Sequence, residues 1–179
     1  LGCLPAGDGG DDDEDDALSP LVAWKAHKGW IGEVQFATAP VSGTLLLSCA
    51  NDKLLTLWDL ERSGGHQPKQ LTSIGFSSGL FSLHEVANAV LVASKGGDVG
   101  LCRLRDGGRI ELETSFEQPD GRCVRSTQWQ PRPSSASPSL FAAGSDAGAI
   151  TLWDARERTA AATLSGAHSS AVNTLRWSD

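Results

Sequence analysis

The chain has 179 residues, 40% of them apolar, a net charge of −7, and six Trp beside no Tyr and no Met. That length and apolar content suit one ordinary globular domain, and no run approaches the roughly 18 apolar residues a membrane-spanning helix needs. Asp8 and the run Asp11, Asp12, Asp13, Glu14, Asp15 and Asp16 hold seven of the 22 acidic residues. The remainder balances at 15 acidic and 15 basic residues, which excludes nucleic-acid binding by bulk charge and leaves only a local basic patch open.

Residues 1–18 are rich in Gly and Asp and poor in large apolar groups, which predicts a disordered acidic tail. Such a run is a solvated tail or a ligand for a basic partner such as a histone or ribosomal protein. Leu1 at the front and the absence of Met are expected of a piece of a longer protein. From Leu21 onward, short apolar runs separated by Gly, Asp, Ser and Pro predict many short strands and no helix. Leu21–Lys25 reads as the last strand of one unit. Ile31–Phe36, Leu45–Ala50, Leu54–Trp58 and Gln70–Ile74 form the next, with Lys53 in a tight turn. Leu80–Glu85, Ala89–Ser94, Val99–Leu104 and Ile110–Phe116 follow. A third unit comprises Val124–Trp129, Ser139–Ala143, Ala149–Trp153 and Ala161–Leu164, interrupted by the Pro- and Ser-rich loop Gln130–Pro138. Val172–Trp177 would open a fourth.

The units repeat. Leu55-Thr56-Leu57-Trp58-Asp59 and Ile150-Thr151-Leu152-Trp153-Asp154 lie 95 residues apart, while Ala26-His27 and Ala167-His168 lie 141 apart. Half of the first spacing and a third of the second both give about 47, a period typical of arrays whose units stack to bury a shared core. Cys3, Cys49, Cys102 and Cys123 show no CxxC or zinc spacing and suit a reducing, intracellular compartment, nuclear or cytoplasmic.

With His27 followed by Trp58-Asp59 across a strand pair and a tight turn, the chain resembles the WD-repeat family over residues 21–179, with Ala26 and Ala167 replacing the family's usual Gly. The resemblance implies an all-β, partial β-propeller in residues 19–179, built from four-stranded antiparallel blades at about 26–74, 78–116 and 122–165. Parts of two flanking blades would occupy 21–25 and 167–179. Three blades do not close a ring, so others are expected elsewhere in the protein. The resemblance also implies a buried hydrogen-bonded tetrad of His27, Ser48, Asp52 and Trp58. The second unit departs from this pattern, with Gly96 at the Asp position and Cys102-Arg103 at Trp-Asp. The third keeps Trp153-Asp154 but has Ala147 where Asp52 stands.

His27, Ser48 and Asp52 also have the residue types of a hydrolytic triad, but their spacing fits the structural tetrad. No phosphate loop, metal spacing or paired acid is present, so neither catalysis nor a cofactor is expected. The expected function is a non-enzymatic protein-interaction scaffold acting through the propeller rim. Trp30 lies three residues after His27, where the fold does not require an aromatic. It either contacts a partner or packs on its own blade. Trp153-Asp154-x-Arg156 partly matches a motif with which some WD-repeat proteins dock on the adaptor of cullin-RING ubiquitin ligases, making a substrate-receptor role the more specific expectation. The alternative is nucleic-acid or chromatin recognition through Arg122 and Arg125.

Overall fold

The computed structural model describes residues 22–38, 43–61, 67–131 and 138–178. The acidic tail and its expected disorder lie outside these residues, as does most of the Pro/Ser loop. Twelve strands form among the described residues, arranged as three four-stranded antiparallel sheets, each a simple meander. The first holds β1 (Ile31–Phe36), β2 (Leu45–Ala50), β3 (Leu54–Asp59) and β4 (Lys69–Gly75). The second holds β5 (Leu80–Val86), β6 (Ala89–Ser94), β7 (Asp98–Arg105) and β8 (Arg109–Glu117). The third holds β9 (Val124–Trp129), β10 (Leu140–Ser145), β11 (Ile150–Asp154) and β12 (Thr159–Leu164).

The backbone repeats as closely as the sequence pattern. Asn51 donates to the Trp30 carbonyl at 3.0 Å, Lys95 to Gly79 at 2.8 Å and Asp146 to Cys123 at 2.9 Å. In each sheet one bulge interrupts pairing near the start of the first strand. A second falls between Leu57 and Trp58, Leu101 and Cys102, and Leu152 and Trp153. Bulges strengthen local twist, so the three sheets twist at the same points. Lys53, at φ 72°, turns the β2–β3 hairpin in the left-handed region that few non-Gly residues adopt.

Two segments depart from expectation. Val22–Lys25 and Val172–Trp177 were expected as strands and are not. A strand requires a neighbour to take its backbone hydrogen bonds, and neither segment has a ladder partner among the described residues. Val172–Trp177 is nevertheless anchored to the third sheet: Val172 donates to Ser145 at 3.0 Å and the Ser126 hydroxyl to the Val172 carbonyl at 3.0 Å.

Apolar residues alternate along the strands and fill two cores, one on either side of the second sheet. Leu47, Cys49, Leu55 and Leu57 of the first sheet meet Val90, Val92, Cys102 and Leu104 of the second. On the opposite face Leu91, Ala93, Leu101 and Phe116 meet Trp129, Phe141 and Trp153 of the third. Phe116 and Phe141 pack edge to face with centroids 5.0 Å apart, and Trp129 and Phe141 do so at 5.4 Å. On the far face of the first sheet Trp24 covers Trp58, with ring centroids 5.7 Å apart, while Ile31, Val34 and Phe36 stay exposed.

The first strands β1, β5 and β9 lie side by side. Polar side chains of one reach the backbone of the next. Glu33 Oε2 accepts from the Ser82 hydroxyl at 2.7 Å and the Leu83 N–H at 2.9 Å. The Gln35 side chain clasps Glu85, accepting from its N–H at 2.8 Å and donating to its carbonyl at 3.0 Å. His84 Nδ1 accepts from the Trp129 N–H at 2.9 Å, which a doubly protonated ring cannot do.

Burial pushes His84 below the ordinary 6.5, and Arg176 adds to this, while Glu33 and Glu85 oppose it. Between that lowered value and 6.5 the unfolded chain holds the extra proton and the folded chain does not, so acidification across this window favours unfolding. The denaturant midpoint is expected to fall as pH drops below 6.5, and His84→Gln to flatten that limb. An unchanged pH profile in the variant would mean the β5–β9 cross-link does not carry this dependence.

Candidate functional site

At the entrance to the first sheet, four side chains from three segments form one hydrogen-bonded chain. The Trp58 indole, which can only donate, gives its N–H to Ser48 Oγ at 2.8 Å. Ser48 in turn meets His27 Nε2 at 2.7 Å, and His27 Nδ1 lies 3.1 Å from both Asp52 carboxylate oxygens. Asp52 also accepts from the backbone of Lys28 at 2.9 Å and Leu54 at 3.3 Å, tying the loop to the hairpin. Burial raises the Asp52 carboxyl, but the Lys28 N–H, the His27 ring and the Leu54 N–H outweigh it and hold the group below its ordinary range.

These contacts superficially have the connectivity of a Ser-His-acid triad. Ser48 is buried, and its Oγ is occupied by the Trp58 N–H, so no substrate carbonyl can approach it here. What the arrangement does is satisfy a buried indole and fix the loop that carries Trp30.

The other two sheets meet the same requirement differently. In the second, Val92, Cys102 and Phe76 replace Ser48, Trp58 and His27, giving an apolar contact with no polar group to satisfy. Burial drives the Cys102 thiol up to about 12, so it packs as an inert hydrophobe. In the third, Ala143 takes the place of Ser48, and the Trp153 N–H finds no hydrogen-bond partner among the described residues. Asp120 stands four residues before β9, as His27 stands before β1, and accepts instead from the Ser145 hydroxyl at 2.9 Å.

The structure brings two of the candidate contact residues together through a third that the sequence did not flag. Phe81, on β5, packs against Trp30 with ring centroids 5.1 Å apart. The Arg125 guanidinium lies over the Phe81 ring, 4.8 Å from its centroid. Trp30, Phe81 and Arg125 thus form a continuous stack across the first strands of all three sheets, and Trp30 remains 49% exposed. Beside it a cavity of about 190 Å³ opens between these strands and residues 173–176.

Arg122 does not join this cluster. It pairs instead with Asp146 at 3.2 Å, on the β10–β11 turn. Trp153 is core. Asp154 caps the next turn, accepting from the backbone of Arg156 at 2.8 Å and Glu157 at 3.2 Å. Arg156 is exposed in the β11–β12 turn, at the opposite end of the sheet from Asp146. Phe81 could have been suspected as the one large aromatic on β5, but nothing in the sequence said which way it faced.

No family model matches the chain, and no curated protein matches it in sequence. Solved structures do share its fold. A computationally designed protein, Ika4, superposes with a TM-score of 0.65 at 20% identity, covering 90% of this chain and 88% of that one. A chain of a mitotic checkpoint complex superposes with a TM-score of 0.67 at 16% identity, covering 89% of this chain and 44% of its own. At such identities the likeness is one of fold. The chain is an all-β partial propeller of three four-stranded sheets.

Trp58→Phe keeps most of the apolar bulk but removes the indole donor, and is expected to cost about 1–3 kcal/mol. His27→Ala should cost a similar amount, with the double variant losing less than the sum because both belong to one hydrogen-bonded chain. Full additivity in denaturant titrations would mean that the residues act independently.

Proposed function

We propose that the chain is a WD-repeat protein acting as a non-enzymatic platform for protein partners, which dock at the rim formed by the first strands. The observation that carries this reading is the stack of Trp30, Phe81 and Arg125. A half-exposed Trp braced by a ring and a guanidinium is the kind of pre-organised anchor that dominates binding energy at interfaces. Folding alone does not demand it, because the positions equivalent to Trp30 hold Gly79, Cys123 and Ala171.

The more specific version is a substrate receptor of a cullin-RING ubiquitin ligase, with Arg156 meeting the adaptor. What favours it is an exposed Arg two residues after Asp154. Ala147, in place of an acid, weighs against it. For the nucleic-acid alternative, Arg122 pairs with Asp146 and stands apart from Arg125.

Affinity purification followed by mass spectrometry tests the platform. Trp30→Ala is expected to lose a set of protein partners while stability changes by no more than about 1 kcal/mol, as surface substitutions usually do. Retention of every partner would overturn the reading. In the same experiment Arg156→Ala should selectively lose the ligase adaptor, and failure of the intact protein to bind that adaptor would remove the receptor role.

A further inference from the structure

The cavity beside the aromatic stack is lined by two arginines and one carboxylate, Glu33. Arg125 rests on Phe81, and its Nε is buried without a hydrogen-bond partner among the described residues. Arg176, in the same cavity wall, donates from Nη1 only to the adjoining Leu175 carbonyl. Neither makes an ion pair among the described residues. Glu33 is the acid of the wall, and its Oε2 is already held by the Ser82 hydroxyl and the Leu83 N–H. The lining hydroxyls of Ser82, Ser126 and Thr127 likewise donate into the protein. What remains facing the cavity is an excess of donors with positive charge.

We propose that this cavity binds a single carboxylate of a partner polypeptide, with Arg125 and Arg176 as its donors. The partner residue beside that carboxylate would lie on Trp30. A guanidinium presents a planar fork that matches a carboxylate with two parallel hydrogen bonds. Stacking on Phe81 fixes the plane of that fork before any ligand arrives. The size of the cavity limits the ligand. A volume of about 190 Å³ suits one acidic side chain or chain end. The neighbouring Glu33 disfavours a polyanion. This inference rests on the platform reading and specifies the chemistry of the partner.

Calorimetric titration of the full chain with three synthetic peptides tests it. One is the doubly capped peptide Gly-Ser-Glu-Ser-Gly, the second its Gln counterpart, and the third that Gln peptide with a free C-terminal carboxylate. A carboxylate peptide should bind at least about tenfold tighter than the neutral one, the effect of one charge-assisted hydrogen bond. Whether the Glu peptide or the free acid gains tells whether a side chain or a chain end is recognised. Arg125→Gln should erase the preference, while Arg125→Lys, which keeps the charge without the fork, should keep part of it. Should Arg125→Gln not fold, Arg176→Gln, outside the three sheets, carries the same test. Equal binding of charged and neutral peptides, or a preference unchanged in the glutamine variant, would overturn the proposal. Partners lost by Trp30→Ala alongside equal peptide binding would remove the carboxylate site and leave the platform standing.

Discussion

A sheet of four short strands has two faces, and in the middle sheet of this chain both are apolar. β6 is buried along its whole length, with Val90 and Val92 turned toward the first sheet and Leu91 and Ala93 toward the third. One such sheet cannot remove both faces from water. At roughly 25 cal/mol per Å² of apolar surface, the only sufficient cover is a second surface of comparable size on each side. Stacking follows, and the twist added at equivalent bulges in every sheet makes the stack fan out around its first strands. That convergence brings Trp30, Phe81 and Arg125 together, although they come from three different sheets.

The polar chain of the first sheet is one solution among three to a single local problem. The turn beneath each first strand must be tied to the loop above it, and any large side chain wedged between them must have its polar atoms satisfied. His27, Ser48, Asp52 and Trp58 do this with hydrogen bonds. Phe76, Val92 and Cys102 do it by contact alone. The third sheet keeps the Trp but not the hydroxyl, leaving the Trp153 N–H without a partner among the described residues. An unsatisfied buried donor costs about 1–3 kcal/mol, so the third sheet is the least economical of the three. Backbone pairing is nearly identical in all of them, which is why the fold tolerates the differences.

Strand order and position were legible because periodicity and turn residues are local signals. Ten of the twelve strands begin and end within one residue of where alternation places them, and β10 and β12 within two. The two terminal segments misled for a non-local reason. Their residues alternate as strands do, but alternation says nothing about whether a partner is present to complete the ladder. The residues that make up the candidate site were only partly legible. Trp30 stood out because an aromatic is not needed there. Phe81 did not, because a Phe on a first strand is equally at home in a core, and its role depends on what the two neighbouring sheets place beside it. The bond from the Trp129 N–H to His84 appears only once β5 and β9 are side by side.

The polar residues of the first strands sort themselves by whether their hydrogen bonds are complete. Glu33, Gln35, His84 and Glu85 each hold backbone of an adjacent strand or loop, with Glu85 taking the N–H and hydroxyl of Thr38 at 2.8 and 2.7 Å. These groups are structural, since each replaces hydrogen bonds to water that burial removed. Two groups on the same surface are exceptions among the described residues, the Gln128 Oε1 and, more costly, Arg125. It carries a full charge, rests on an aromatic face and leaves a buried N–H unsatisfied. Nothing in the packing of the sheets requires an arginine at that point, and an aliphatic residue would cover Phe81 without the cost of a partly dehydrated cation. What separates Arg125 from the unpaired Trp153 N–H is its place in the wall of a cavity, where an arriving carboxylate would offset that cost.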